Sequence, residues 1–205
     1  MKKYVAFLLC FIGLSFLMMV GTNQNAHAVP IVYTAYLSGP NEEPATDSLG
    51  TGYATVVFDV VAHTMEIDAW FSGLTGDTTA SHIHGPTALP GVGTAAVATQ
   101  TPSFIGFPLG VQSGTFSSSF DMTLASSYRA GYLAGFGGST ALAEAALAQA
   151  AADGTAYFNI HTTVYPGGEI RGFLAQPVPE PSTLLLLGSG LIGLAGYGGK
   201  KFFKK

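Results

Sequence analysis

The 205-residue chain has one cysteine, Cys10, inside an N-terminal apolar run. The rest of the chain can form no internal disulfide and offers no thiolate for catalysis or metal ligation. Basic residues are almost as scarce. Six of the eight (Lys2, Lys3, Lys200, Lys201, Lys204 and Lys205) sit at the two ends. Between Val29 and Pro179 only Arg129 and Arg171 remain, against eleven Asp and Glu, for a formal net of −9. Such a body repels nucleic acid and anionic lipid, so no nucleic-acid partner is expected. Familiar catalytic signatures are missing too. There is no G-x-S-x-G, no phosphate loop, no H-E-x-x-H and no EF-hand spacing. These absences lean the expectation away from an enzyme without deciding it.

Both ends of the chain carry addresses. Lys2 and Lys3 precede an apolar run from Val5 to Val20, and Ala26-His27-Ala28 supplies small residues for a cleavage site. Residues 1–28 read as a secretory signal peptide, with a mature start near Val29. Leu8 and Leu9 precede Cys10 where lipidation would want small residues. At the other end, Val178-Pro179-Glu180-Pro181-Ser182-Thr183 leads into an apolar run from Leu184 to Tyr197, closed by the Lys tail. As a helix, Thr183 to Gly199 would be about 25 Å long. That barely crosses a hydrocarbon core of about 30 Å. Six glycines weaken it further. A transient membrane span with a cytoplasmic Lys tail is expected, cut during processing.

The three-part pattern of residues 178–205 resembles the PEP-CTERM sorting signal of Gram-negative bacteria, with Pro179, Glu180 and Pro181 as the sorting motif. The resemblance implies an exosortase-type processing protease as partner and secretion through the inner membrane. It also implies delivery to the cell surface or extracellular matrix, where polysaccharide or protein contacts follow.

The body, 29–177, has the size of one domain with a real core. Alternation and turn signals predict strands at 31–37, 53–61, 65–71, 78–84, 94–99, 113–121, 155–162 and 169–175. Ala62-His63-Thr64 reads as a hairpin turn, with His63 in solvent. Thr140 to Ala152 is alanine-rich and stops before Gly154, which predicts a helix. A shorter helix is expected from Ala125 to Leu133. The fold class is all-β: a sandwich or barrel of about eight strands, with a helical insertion at about 125–152 before the last hairpin.

Two patches could carry chemistry. One is Ala80-Ser81-His82-Ile83-His84-Gly85-Pro86. The other is Tyr157-Phe158-Asn159-Ile160-His161-Thr162, continuing through Pro166-Gly167-Gly168-Glu169-Ile170-Arg171-Gly172. Residues two apart on a strand share a face, so His82 and His84 present two imidazoles side by side. His161, from another strand, could complete a zinc or copper site. The competing reading is a hydrogen-bond cluster of the three histidines with Glu169. Glu169 and Arg171 would form an ion pair closing the last hairpin. Trp70, on a polar strand face with Glu66 and Asp68, could stack on a sugar ring.

The two patches, with Asn41-Glu42-Glu43-Pro44 earlier, resemble the chordin-type (CHRD) domain over roughly Tyr33 to Ala175. That resemblance implies a β-rich extracellular domain and brings little biochemical function. The function expected is a non-enzymatic, surface-sorted binding or structural protein. The alternative is a metal-binding or redox protein built on the histidines.

Overall fold

The computed structural model describes residues 29–177 and 186–192. The signal peptide, Pro179, Glu180, Pro181 and the Lys tail lie outside the described residues. Seven strands form one antiparallel sheet: β1 (Ile31–Ser38), β2 (Thr51–Asp59), β3 (Thr64–Ser72), β4 (Thr78–His84), β5 (Gly114–Asp121), β6 (Tyr157–Thr162) and β7 (Ile170–Phe173). The spatial order is β4-β6-β7-β1-β2-β3-β5. The sheet curls as a half-barrel around its core, and helical segments are few. The expected all-β architecture with a helical insertion is what forms.

Alternation decides which way each strand faces. On β3, Met65, Ile67, Ala69 and Phe71 are buried while Glu66, Asp68 and Trp70 are exposed. On β2, Ala54, Val56 and Phe58 point inward in the same way. The inner face meets Phe104 and Phe107 from the long β4–β5 connection. Phe104 stacks on Phe158 at 5.9 Å, and Phe107 on Phe71 at 5.5 Å. Stability rests on this packing, each buried large side chain contributing about 1.5–3 kcal/mol relative to exposure.

The segment 94–99 is not a strand. It makes only isolated bridges, His84↔Val97 and Thr99↔Tyr128. Gly91 and Gly93 precede it in left-handed conformations, and Pro102 follows. The backbone therefore turns away after touching the β4 edge, where Ala98 N–H donates to the Ile83 carbonyl at 2.9 Å.

The insertion holds two helices, α1 (Ala130–Gly135) and α2 (Thr140–Ala152), after a 3-10 turn at Ala125–Ser127. The expected helix at Ala125–Leu133 thus splits and shifts toward its C-terminus. Ser139 caps α2, its hydroxyl accepting from Leu142 N–H. Gly154, at φ 67°, turns the chain out of the helix where an L side chain would be strained. Ala143, Leu147, Ala150 and Ala151 dock it on the core. Glu144 docks it again, with its Oε2 2.6 Å from His63 Nδ1 in the β2–β3 turn. His63 does sit in that turn at φ 55°, but it is tied to the helix rather than simply solvated.

In the C-terminal stretch, residues 186–192 are helical. Among the described residues no helix is long and apolar enough to cross a membrane. Most of the expected span, Thr183 to Gly199, lies outside the described residues.

Candidate metal centre

His82 and His84 lie on β4, and His161 on the neighbouring β6. The register pairs His82 with Asn159, His84 with Tyr157 and Ala80 with His161. All three imidazoles stand on the outer face, opposite Ile83, Phe158 and Ile160 of the core. The β4–β5 connection and the β6–β7 turn fold over them. His82 and His84 are consequently buried, and His161 nearly so.

Each ring is held through one nitrogen by a backbone carbonyl of this cover. His82 Nε2 lies 2.6 Å from the Pro102 carbonyl oxygen. His84 Nδ1 lies 2.9 Å from that of Ala95, and His161 Nδ1 lies 3.0 Å from that of Pro166. A carbonyl only accepts, so these nitrogens carry the protons and their partners carry lone pairs. Those partners are His82 Nδ1, His84 Nε2 and His161 Nε2. All three are buried with no hydrogen-bond partner among the described residues. One ligand nitrogen from each ring lies within 4.8 Å of the other two.

The electrostatics keep the rings neutral. Burial pushes His82 and His84 down to about 4, against the pull of their carbonyl bonds and with some mutual repulsion. Burial lowers His161 as well. At neutral pH the cluster therefore presents three unprotonated lone pairs, the form a metal ion takes.

A second layer braces the first. The Tyr157 ring stacks on His84, centroids 4.9 Å apart at 11°. Its hydroxyl donates to the Ala95 carbonyl at 3.3 Å and accepts from Ala95 N–H at 3.2 Å. Arg171 lies over the Tyr157 ring at 4.7 Å. Its guanidinium donates to the carbonyls of Asn41 and Gly93. It also approaches Glu43 at 3.5 Å and Glu42 at 3.8 Å. Arg171 thus clamps the 41–43 and 91–93 segments over the site. Burial raises the Glu42 carboxyl to about 7 in spite of Arg171. A Cβ at Gly168 (φ 132°) would stand 2.7 Å from Glu42 Oε1 and 2.8 Å from the Asn159 amide, so only glycine fits there.

Glu169 takes no part in the histidine cluster and does not pair with Arg171. It precedes β7 in a bend, so the two-residue alternation that would put it beside His161 does not reach it. Its carboxylate turns to the other side of the sheet. There it accepts from Ser48, from Thr162 at 2.6 Å, and from Thr75 and Gly76 N–H. Burial alone would raise its pKa, but these four donors hold it below the usual carboxylate range. The sequence pattern marked both charged residues and assigned them the wrong partners. Tyr157, Asn159 and Glu43 stand within the motifs the sequence offers and Ala95 does not, but the place of all four around the histidines is revealed only by the fold.

The family comparisons agree with this construction. The CHRD domain model matches residues 33–174, covering all of the sheet but the first two residues of β1, the insertion and the histidine cluster. The PEP-CTERM protein-sorting motif matches residues 177–200, which implies exosortase processing and secretion through the inner membrane of a Gram-negative bacterium. No curated protein and no solved structure matches the chain. The chain belongs to the CHRD domain family and, through its sorting motif, is an exosortase-sorted secreted or cell-surface protein.

Proposed function

We propose that the CHRD body is a non-enzymatic binding module that holds one zinc or copper ion on His82, His84 and His161. Two observations support this: one ring nitrogen of each histidine lies within 4.8 Å of the other two, and every one of the three rings keeps a buried nitrogen without a hydrogen-bond partner among the described residues. A buried acceptor left without a partner costs about 1–3 kcal/mol. Three such costs in one place, with all three rings braced by carbonyls, are hard to reconcile with a purely structural hydrogen-bond cluster. A metal removes all three at once. Ring N–H groups donated to carbonyls are also the usual second layer behind metal-ligating histidines.

Three imidazoles and no thiolate suit zinc or copper. A tetrahedral ion with bonds of about 2.0–2.1 Å would hold the nitrogens about 3.4 Å apart. The ring nitrogens, within 4.8 Å of one another, would draw in by up to about 1.4 Å to reach that. Three protein ligands leave a fourth position for water or a partner. Copper would make the centre a redox site, with the oxidisable Tyr157 ring stacked on a ligand.

The setting of this module is the cell surface or extracellular matrix, where matrix polysaccharide or proteins are its contacts. Replacing Pro179, Glu180 and Pro181 with alanine should trap the protein before release. Unchanged surface delivery would end the sorting claim. For the metal, processed protein without a histidine tag should contain about one zinc or copper per chain by elemental mass spectrometry. The His82→Ala/His84→Ala variant should contain none. A folded wild type that stays metal-free after incubation with both ions would refute the site.

A further inference from the structure

The outer face has a second feature, which starts beside the roofed histidines, where Phe173 packs on Tyr157 at 5.3 Å, and runs away from them across the sheet. Tyr36 pairs with Tyr53, and Tyr53 with Trp70, on three adjacent strands. The pairs Ser38↔Arg171 and Thr34↔Ala175 bracket the β1–β7 register and set Tyr36 opposite Phe173. Four aromatic side chains therefore stand in one row across β7, β1, β2 and β3. Strands lie about 4.8 Å apart, so the row is about 14 Å long. Tyr36 is 75 % exposed and Trp70 47 %, and nothing among the described residues covers them. Tyr36 and Tyr53 meet edge to face at 4.9 Å.

Five hydroxyl side chains and one carboxylate line the two sides of this row. Two residues along each strand in one direction are Thr34, Thr55 and Asp68, and in the other Ser38, Thr51 and Ser72. These lie about 7 Å from the aromatics. A shallow groove of about 290 Å³ runs beside Trp70 between Thr55, Asp68 and Ser117. At the Phe173 end the row opens into a cleft of about 500 Å³ beside Asn41, Glu43 and Arg171.

We propose that this face is a platform for a neutral polysaccharide chain laid across the strands. A pyranose ring offers an apolar C–H face to an aromatic ring and hydroxyls at its edge. The row with its two polar margins matches both. An apolar protein partner would leave the margins unpaired. An anionic glycan would meet Asp68 and a body of net −9. The proposal rests on the reading of the body as a surface or matrix binding module, and it does not depend on the metal.

Trp70 is the only tryptophan, so its fluorescence reports on this face alone. The test titrates the processed protein with hydroxyethylcellulose, galactomannan and a soluble β-glucan, with alginate as the anionic control. At least one neutral glycan should shift and quench the Trp70 emission, with little dependence on salt, and alginate should not. By gel retardation in that glycan, Tyr36→Ala and Trp70→Ala should each bind about tenfold more weakly, and Trp70→Phe should retain most binding. The His82→Ala/His84→Ala variant should bind the glycan normally, which separates this site from the metal centre. No emission change with any neutral glycan, equal retardation of the alanine variants, or equal response to alginate would overturn the proposal. So would self-association that Trp70→Ala abolishes without any glycan response, since that would assign the face to a second copy of the chain.

Discussion

The outer face of the single sheet behaves differently at its two ends. Over β4, β6 and β7 it is roofed, and the residues beneath the roof are polar: His82, His84, Asn159 and Arg171 are all buried. Over β1, β2 and β3 it is bare, and there the aromatic residues Tyr36 and Trp70 face solvent. A simple hydrophobic rule would place these residues the other way round. Burying polar groups costs free energy unless each finds a partner, and exposed aromatics forgo burial. Both ends therefore depart from the packing optimum. Such departures are expected at functional sites. The inner face, by contrast, follows the rule from strand to strand.

The comparison can be broken hardest at Glu169. Its carboxylate, fully buried, satisfies four donors that link the β6–β7 turn to residues 48 and 75–76. Glu169→Ala should destabilise the protein by about 3 kcal/mol or more in urea unfolding, because the donors are left buried and unpaired. Arg171→Leu should cost about 2–4 kcal/mol by the same measure. It should also expose the 91–93 segment to limited proteolysis, since the clamp on both covering segments is gone.

Mild acid should act first on the roofed end, before the carboxylate of Glu169 is reached. His82 and His84 have folded values near 4 against an ordinary 6.5, so between these limits the unfolded chain binds more protons. Stability of the chelator-treated protein should therefore fall as pH drops from about 6.5 to 4. Glu42, raised to about 7, works in the opposite direction: its contribution is lost as pH rises through 7. The histidines outnumber it, so the net expectation is acid destabilisation, read as a falling melting temperature. Bound metal should raise the melting temperature across this range without flattening the fall, because the folded rings are already unprotonated there and the slope comes from protons taken up by the unfolded chain.

The bare end should prove nearly indifferent to stability. Trp70→Ala and Tyr36→Ala each remove cross-strand contacts worth about 0.2–1 kcal/mol. Asp68→Asn should stay within about 0.5 kcal/mol. Large losses there would mean that the aromatic row supports the fold rather than a ligand.

Much of this architecture was legible in the amino-acid sequence, for identifiable reasons. β4 runs from Thr78 to His84 and α2 from Thr140 to Ala152, both at the expected bounds, because Gly85-Pro86 and Gly154 stop them sharply. Spacing alone put His82 and His84 on one face, and the motif on β6 pointed to His161. What stayed hidden depends on the chain meeting itself at long range. The carbonyls of Ala95, Pro102 and Pro166 carry no side-chain signature. Glu169 and Arg171 share a parity in the sequence, yet a bend at 168–169 sends their side chains to opposite sides of the sheet. The aromatic row was invisible for a similar reason: Trp70 was noticeable alone, but Tyr36 and Tyr53 become its neighbours only through the strand register.

The central claim is that three imidazoles converge to hold a metal. X-ray absorption spectroscopy of the processed protein, loaded with one equivalent of zinc or copper, tests it most directly. The account expects three imidazole nitrogens at about 2.0–2.1 Å, with the outer-shell scattering of histidine rings. That signal should disappear in His82→Ala/His84→Ala. A shell of oxygens without histidine scattering, unchanged by that substitution, would contradict it.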